Sequence, residues 1–213
     1  MSDAKASSIA RPDRALVDRA AAFPSATLHE AMGRKGALPY EIKPIAPKMK
    51  VCGPAVTVSC PAMQNLAIHR AIYMAEPGDV LVVTVGGAYG GGYWGEIMTY
   101  AARQRKIAGL VIDGCVRDKA LIESMGFPVF ARGLSIRGTL KDEEGCINLP
   151  VAIGDVVIAP GDLMVGDEDG LVVVPHLEIR SAIEAAEKRE QKEEQFMKEL
   201  DAGKSTLEIL GLK

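Results

Sequence analysis

VLVVTVGGAYGGGYWGEIMTYAARQRKIAGLVIDGCVRDKALIESMGFPVFAR, residues 80–132, is the stretch whose reading decides the fold. VLVVTV (80–85) is a short, wholly apolar run. It follows the turn residues EPGD (76–79) and runs into glycines. GLVIDG (109–114) and PVFARG (128–133) are two more such runs, and all three read as buried strands. Between them WGEIMTYAARQRKI (94–107) has helical periodicity. RDKALIESMG (117–126) reads as a short helix that ends at Gly126 as its C-cap. Strand, helix, strand, helix, strand favours a parallel sheet with crossover helices, hence an α/β fold.

The pattern extends outward on both sides. KVCGPAVTVSC (50–60) is β-rich and half alternating, and QNLAIHRAIYMA (64–75) is helical. Nearer the N-terminus a helical part runs from about Asp13 to Arg34. Thr27 and Glu30 have capping-box spacing, which predicts a helix beginning there. Residues 1–24 read as a helical extension. Beyond Gly145 the texture changes to short β runs broken by GD turns, as in IGDVVIAPGDLMVGDEDGLVVVP (153–175), which predicts antiparallel hairpins beside the first sheet. Asp162, Asp167 and Asp169 resemble a calcium loop but lack its downstream glutamate, so they read as turn acids. A long charged helix from about Leu177 to Asp201, with Gly203 beyond it, forms a C-terminal arm over 176–213. There is no internal repeat or low-complexity tract, and a chain of 213 residues is expected to be one domain.

Composition narrows the function classes. Hydrophobic residues make up 48%, enough for a real core, and the net charge of −3 offers no footprint for nucleic acid. No apolar run reaches the ~18 residues of a membrane span, and MSDAKASSIARPDR lacks the apolar stretch of a signal peptide. The four scattered cysteines (Cys52, Cys60, Cys115, Cys146) read as reduced, mostly buried thiols of a cytoplasmic protein. His29, His69 and His176 lie far apart, against a zinc site of nitrogen and sulfur ligands.

Two strand-to-helix junctions carry the chemistry. In open α/β sheets ligands bind outside the carboxyl ends of the strands. The glycines of GGAYGGGYWGE (86–96) follow one such end and precede a helix whose first N–H groups lack internal partners, which together make an anion site. A tight or mobile loop is the plainer reading. There is no G-K-[ST], so this is not a P-loop. A small carboxylate or phosphate fits better than a nucleotide. One βα unit later IDGCVRD places Arg117 and Asp118 at a neighbouring loop. Alone, Asp118 reads as a helix N-cap and Arg117 as a surface charge. Beside an anion loop, Arg117 can hold a carboxylate or keto oxygen in a fork, and Asp118 can hold a hard cation that keeps its waters.

GYWGEIMTYAA, AGLVIDGCVRD, GFPVFARGLSIRGT and PGDLMVGDEDGLVVVP resemble the 4-hydroxy-4-methyl-2-oxoglutarate aldolases. The resemblance is closer to the branch that also cleaves 4-carboxy-4-hydroxy-2-oxoadipate in aromatic-acid degradation. It covers about Ser25 to Glu194. The same superfamily includes the regulator of ribonuclease activity A. Its signature is an acid, twenty residues, Arg-Asp, two residues and another acid. Glu96 and Arg117-Asp118 keep that spacing, with Glu where some relatives have Asp. Leu121 stands at the last acidic position, with Glu123 the nearest acid.

The resemblance implies a β/β/α layered sandwich of the swivelling, phosphohistidine-domain-like type with a long C-terminal helix. It implies a metal-dependent, class II pyruvate aldolase using Mg²⁺ or Mn²⁺, with oxaloacetate decarboxylation as a side activity of the same site. Asp118 would hold the metal, partly through waters. Arg117 would stabilise the enolate, and the amides of Gly95, Glu96, Ile97 and Met98 would bind the substrate carboxylate. A metal-ordered water steered by Glu96 would take the C4 hydroxyl proton. Lys119 and Lys141 are expected in solvent, Tyr93 and Trp94 in packing around the loop, and His69 in the core or an interface. His29 could border the site. The family's trimers, or dimers of trimers, imply a homo-oligomer with sites between subunits. On the last helix the stripe Ile179, Ile183, Ala186, Glu190, Glu193, Met197, Leu200 is broken by two glutamates. Either the helix leaves its domain near Ala186, or Glu193, failing that Glu190, completes a neighbour's site. The competing class is a non-catalytic protein-binding regulator.

Overall fold

The structure is a computed structural model that describes residues 9–212; residues 1–8 of the expected N-terminal extension lie outside them. Helices α1 (Arg14–Ala20) and α2 (Ser25–Ala31) precede the two-residue strand β1 (Lys43–Pro44) and the long strand β2 (Val51–Ser59). The second half of β2 pairs in parallel with β3 (Val80–Thr84). β3 pairs likewise with β4 (Gly109–Val116), and β4 with β5 (Val129–Leu134). The crossovers are α3 (Leu66–Met74), α4 (Glu96–Gln104) and α5 (Lys119–Ser124). The rhythm read from residues 80–132 is therefore the observed topology, and it starts one unit earlier, at β2. The central strands are buried along almost their whole length, which is why their sequences do not alternate.

The segment after Gly145 behaves as its turns predict. β6 (Cys146–Ile147) pairs with the end of β2. β7 (Val151–Ile153) and β8 (Val156–Ile158) form a separate hairpin. β9 (Leu163–Gly166) and β10 (Leu171–Val174) form another, which joins the first half of β2 antiparallel. Ala37 bridges Val172 of β10, while Lys43 and Pro44 pair with β5 at the far end of the sheet. One short segment thus touches both edges, and the sheet is nearly closed like a barrel.

Two cores result. Met164, Leu171 and Val173 face the large core shared with β2–β5. Leu163, Val165, Val172 and Val174 alternate to the other face, where they pack with Val17, Leu28, Ile179 and Ile183 of the helices. This is sheet on sheet with a helical layer outside, the expected β/β/α order. The outer layer includes α6 (Ile179–Asp201), which follows a turn of 3₁₀ helix at His176–Glu178. Its buried residues end at Ala186, so the later turns leave the domain, and α7 (Thr206–Leu210) follows them.

Two expectations need correction. The helical part expected from Asp13 to Arg34 is two helices separated at Ala21–Pro24. α2 also begins at Ser25, not through a Thr27–Glu30 capping box. A carboxylate from the β9–β10 turn takes the capping role instead: the Asp167 oxygens accept from the Ser25 N–H and hydroxyl, both at 2.7 Å. The cysteines are free, but only Cys60 is fully buried and Cys146 is exposed. Burial pushes the Cys52 and Cys60 thiols up to about 12.

Asp167 is titratable, so this cap has a pH dependence. Burial alone would raise its pKa, but hydrogen bonds from Ser25, Asp169 and Gly170 outweigh that and lower it below 3.8. A depressed carboxyl pKa contributes stability that is present above the unfolded value and lost as pH falls through the folded one. Stability should therefore decline below about pH 4. Asp167→Asn should lose about 1 kcal/mol at pH 7, as caps do, and should show a flatter acid decline. Chemical denaturation of both proteins between pH 3 and 7 measures this; parallel acid declines would refute it.

Candidate active site

The loops after β3 and β4 are joined by main chain. Gly92 bridges Cys115 in the parallel sense. Tyr93 N–H donates to the Cys115 carbonyl at 3.0 Å, and Arg117 N–H donates to the Trp94 carbonyl at 2.9 Å. The third strand joins in, as Ser135 N–H reaches the Val116 carbonyl at 2.9 Å. Tyr93 and Trp94 are completely buried below, as expected of packing residues. Trp94 donates to the Thr99 hydroxyl at 2.6 Å and stacks on Phe127. The Tyr93 hydroxyl accepts from Met63 N–H and donates to the Ala88 carbonyl.

The glycines divide into two kinds. Gly86 and Gly87 have φ of 60° and 80° and make the turn. Gly95 is extended, with φ −158°, a conformation open to any residue. It is held to glycine by space: a Cβ there would strike the Asp118 carboxylate and stand 3.2 Å from Arg117 side-chain atoms. At Gly92 a Cβ would strike the Ser135 carbonyl and approach Arg117. These two glycines admit the neighbouring loop's Arg117 and Asp118, in addition to any clearance they give a ligand.

Asp118 opens α5 in the left-handed region, with φ 60° and ψ 34°, and its side chain does not cap that helix. Its Oδ2 instead accepts from Glu96 N–H, at 3.1 Å, and so caps α4. A left-handed non-glycine residue costs about 1–2 kcal/mol, with aspartate among the more tolerant. Arg117 Nε stands 3.6 Å from the same oxygen, and both side chains are partly open to solvent. The other carboxylate oxygen, Oδ1, accepts no hydrogen bond from the described residues.

Gly95, Glu96, Ile97, Met98, Arg117 and Asp118, all picked out in the sequence, line one cleft of about 430 Å³. Of the four amides proposed for a carboxylate, that of Glu96 is engaged by Asp118. The first N–H groups of the helix otherwise have no intrahelical acceptor. A second hollow of about 360 Å³ opens on the other side of Arg117 and Asp118, against Leu134, Ser135 and Ile136.

Sequence reasoning missed part of the far wall. Asn65, His69, Thr139 and Lys141 also line the cleft. His69 is thus not a plain core residue, and Lys141 is exposed, as expected, but on the wall of the cleft. Asn65 Nδ2 donates to the Tyr93 carbonyl at 3.0 Å. Asn65 and His69 stand four residues apart on one side of α3, and that spacing was the available signal. His69 is half-buried, and its pKa is lowered by burial and by the Lys141 cation. His29 lies elsewhere, its Nδ1 3.0 Å from the Lys35 carbonyl. Glu193 is not brought to the cleft within the chain. It sits on α6 beside Arg189, at 2.8 Å, and Arg189 also approaches Glu30 at 3.6 Å. Glu190 is exposed on the same helix.

The donor set constrains any metal. No trio of His, Cys, Asp or Glu able to hold an ion exists among the described residues. Among the described residues the carboxylates of the cleft are Asp118, whose Oδ2 is taken by the Glu96 N–H, and Glu96 itself. That fits a cation that keeps most of its water, such as Mg²⁺ or Mn²⁺, and does not fit zinc.

Residues 17–173 match the family described as RraA-like: Aldolase/RraA. A protein of Halalkalibacterium halodurans named "Putative 4-hydroxy-4-methyl-2-oxoglutarate aldolase" is 36% identical over 172 residues, covering 81% of this chain and 82% of that one. A protein of Albidiferax ferrireducens with the same name is 33% identical over 68% of this chain and 88% of its own. Among solved structures, Streptomyces coelicolor RraAS2, described as an unusual member of the RNase ES inhibitor RraA protein family, superposes with a TM-score of 0.79 at 31% identity. That match covers 88% of this chain and 98% of the other. An uncharacterized protein of Pseudomonas syringae pv. tomato gives a TM-score of 0.84 at 28% identity, over 95% of each chain.

Proposed function

Since the chain belongs to the RraA-like, Aldolase/RraA family, we propose that it is a divalent-metal-dependent aldolase releasing pyruvate from 4-hydroxy-2-oxo acids. 4-Carboxy-4-hydroxy-2-oxoadipate would give pyruvate and oxaloacetate, and 4-hydroxy-4-methyl-2-oxoglutarate two pyruvates. The observation that carries this reading is the pairing of Arg117 and Asp118 at the N-terminus of α4, in one open cleft with Lys141 and His69. A polyanionic substrate suits that arrangement of cations and free amides.

Cleavage breaks the C3–C4 bond and leaves the pair of electrons on the pyruvate half as an enolate. The free amides at Ile97 and Met98 bind the C1 carboxylate. Arg117 holds the C2 oxygen, where negative charge develops. Asp118 Oδ1 would hold Mg²⁺ or Mn²⁺, which when bound would supply a Lewis acid to the 2-oxo acid. Glu96, half-buried in the same cleft, would steer a water of that ion. Oxaloacetate decarboxylation leaves the same enolate and would share the site. The test is pyruvate release from 4-carboxy-4-hydroxy-2-oxoadipate with Mg²⁺, its loss in EDTA and its return with Mg²⁺ or Mn²⁺. Full activity in chelator, or a borohydride-trapped lysine adduct, would overturn the reading. The likeness to RraAS2 favours a second reading, a protein-binding regulator, and no pyruvate with any divalent metal would leave that one standing.

Glu193, or failing it Glu190, enters this scheme through a homo-oligomer. The half of α6 beyond Ala186 extends off its own core, which suits a helix that reaches a neighbouring subunit's cleft. Mixing inactive Asp118→Asn with inactive Glu193→Gln protein, under conditions of subunit exchange, should restore activity. Each mixed interface could combine one chain's Asp118 with another's Glu193. A fully active Glu193→Gln protein, or a monomer at assay concentration, defeats the idea.

A further inference from the structure

The cleft contains several groups able to bind charge, but few able to accept a proton from a hydroxyl and later give it back. The titratable groups lining it are His69, Tyr93, Glu96, Arg117, Asp118 and Lys141. Arg117 and Lys141 are cations with no free lone pair. The Tyr93 hydroxyl is committed at both ends, to Met63 N–H and the Ala88 carbonyl. Asp118 is committed through Oδ2 to the Glu96 N–H and through Oδ1 to the cation of the reading above. Glu96 lies beside Arg117 and Asp118, at the end where the pyruvate half binds. His69 projects from α3, on the far wall, in company with Lys141.

We propose that His69 is the acid–base residue of the cleavage, and that Lys141 binds the carboxylate on the carbon that carries the hydroxyl. This rests on the aldolase reading above. With the C1 carboxylate at the start of α4 and the C2 oxygen on Arg117, C4 lies toward α3 and the 138–141 segment. C4 bears both a hydroxyl and a carboxylate in either substrate, which matches a proton acceptor beside a cation. A neutral imidazole nitrogen takes the hydroxyl proton. The oxygen's electron pair forms the new C4=O bond, the C3–C4 bond breaks, and its pair becomes the C2–C3 double bond as negative charge passes to the C2 oxygen. The imidazolium then returns its proton to C3, which gives pyruvate and restores neutral His69. Atoms, charge and protons balance with no further reactant.

The surroundings keep the imidazole in its accepting form. Burial lowers its pKa first, and Lys141 lowers it further. The other charged groups near it are Glu96 from α4, Arg117 and Asp118 from the β4–α5 junction, and the exposed pair Arg70–Glu144, 2.8 Å apart. Of these, Lys141 is the one whose charge acts on His69. The acid limb of kcat/KM should therefore lie below pH 6.5.

Three measurements test the proposal. His69→Gln should lower kcat on the order of a hundredfold or more and abolish the acid limb, leaving a rate flat with pH. In His69→Ala, added imidazole should restore part of kcat. Lys141→Gln should raise KM and move the acid limb to higher pH, and the His69 ring signals should titrate at higher pH by the same amount in NMR. His69→Gln with kcat within a few-fold of wild type, or with the acid limb intact, overturns the proposal. So does an acid limb that stays put in Lys141→Gln while the ring titration moves. Wild-type protein that releases no pyruvate with any metal overturns the aldolase reading and this proposal with it. Active wild type with an unaltered His69→Gln profile overturns the proposal alone.

Discussion

Asp118→Asn should reduce pyruvate release on the order of a thousandfold at saturating Mg²⁺, while the protein stays folded. An amide side chain keeps the shape of the carboxylate, and its oxygen can still accept from the Glu96 N–H that Asp118 Oδ2 engages at 3.1 Å. Asparagine also tolerates the left-handed backbone at φ 60°. The fold of the two loops is therefore retained. What goes is the negative charge that would hold the cation. A Lewis acid at the carbonyl contributes several kcal/mol to the transition state, and each ~1.4 kcal/mol is tenfold in rate. The measurement is kcat/KM across a Mg²⁺ titration, with thermal unfolding as the control. If activity returns to the wild-type level at high Mg²⁺, Asp118 contributes affinity for the ion only. If the protein is unfolded, its contribution is to the α4 cap.

Arg117→Ala should fall mainly on kcat, on the order of a hundredfold or more, because its proposed partner is charge that appears only as the bond breaks. The half-exposed side chain carries little of the packing, and its position is fixed by the backbone bond to the Trp94 carbonyl. Stability should therefore change little. Arg117→Lys should restore only part of the rate, since an ammonium cannot reproduce the planar fork. A variant with unchanged kcat and a raised KM would mean that Arg117 binds substrate and transition state alike, and the enolate role would be wrong.

Much of this architecture was legible in the sequence because it is local. VLVVTV, GLVIDG and PVFARG carry no alternation because their strands are covered on both faces, and the helical periods between them forced crossovers. The spacing from Glu96 to Arg117 was legible for the same reason: one βα unit brings consecutive loops side by side. Contacts made by distant segments left no local trace. Asp167 caps a helix that starts 142 residues earlier, so the Thr27–Glu30 spacing pointed to the wrong start. Asp118 looked like a cap for the helix it begins, yet it serves the preceding crossover helix. His69 and Lys141 reach the cleft from α3 and from the chain after β5. Neither carries a motif beyond the four-residue step from Asn65. Gly95 was read as one of the carboxylate-binding amides, whereas what holds it to glycine is the carboxylate of the next loop.

The Gly92–Cys115 bridge and the backbone bonds beside it have an evolutionary consequence. Peptide groups do most of the work of holding the two loops in register, over the buried Tyr93 and Trp94. Side chains on the cleft's surface can then be exchanged without disturbing the frame that presents them. Chemistry becomes a replaceable layer over a shared backbone. Such a frame can lose an acid, a base or a cation and still display a shaped, charged hollow to something else. That is a physical basis for descriptions as different as aldolase and RNase ES inhibitor among chains that share this backbone.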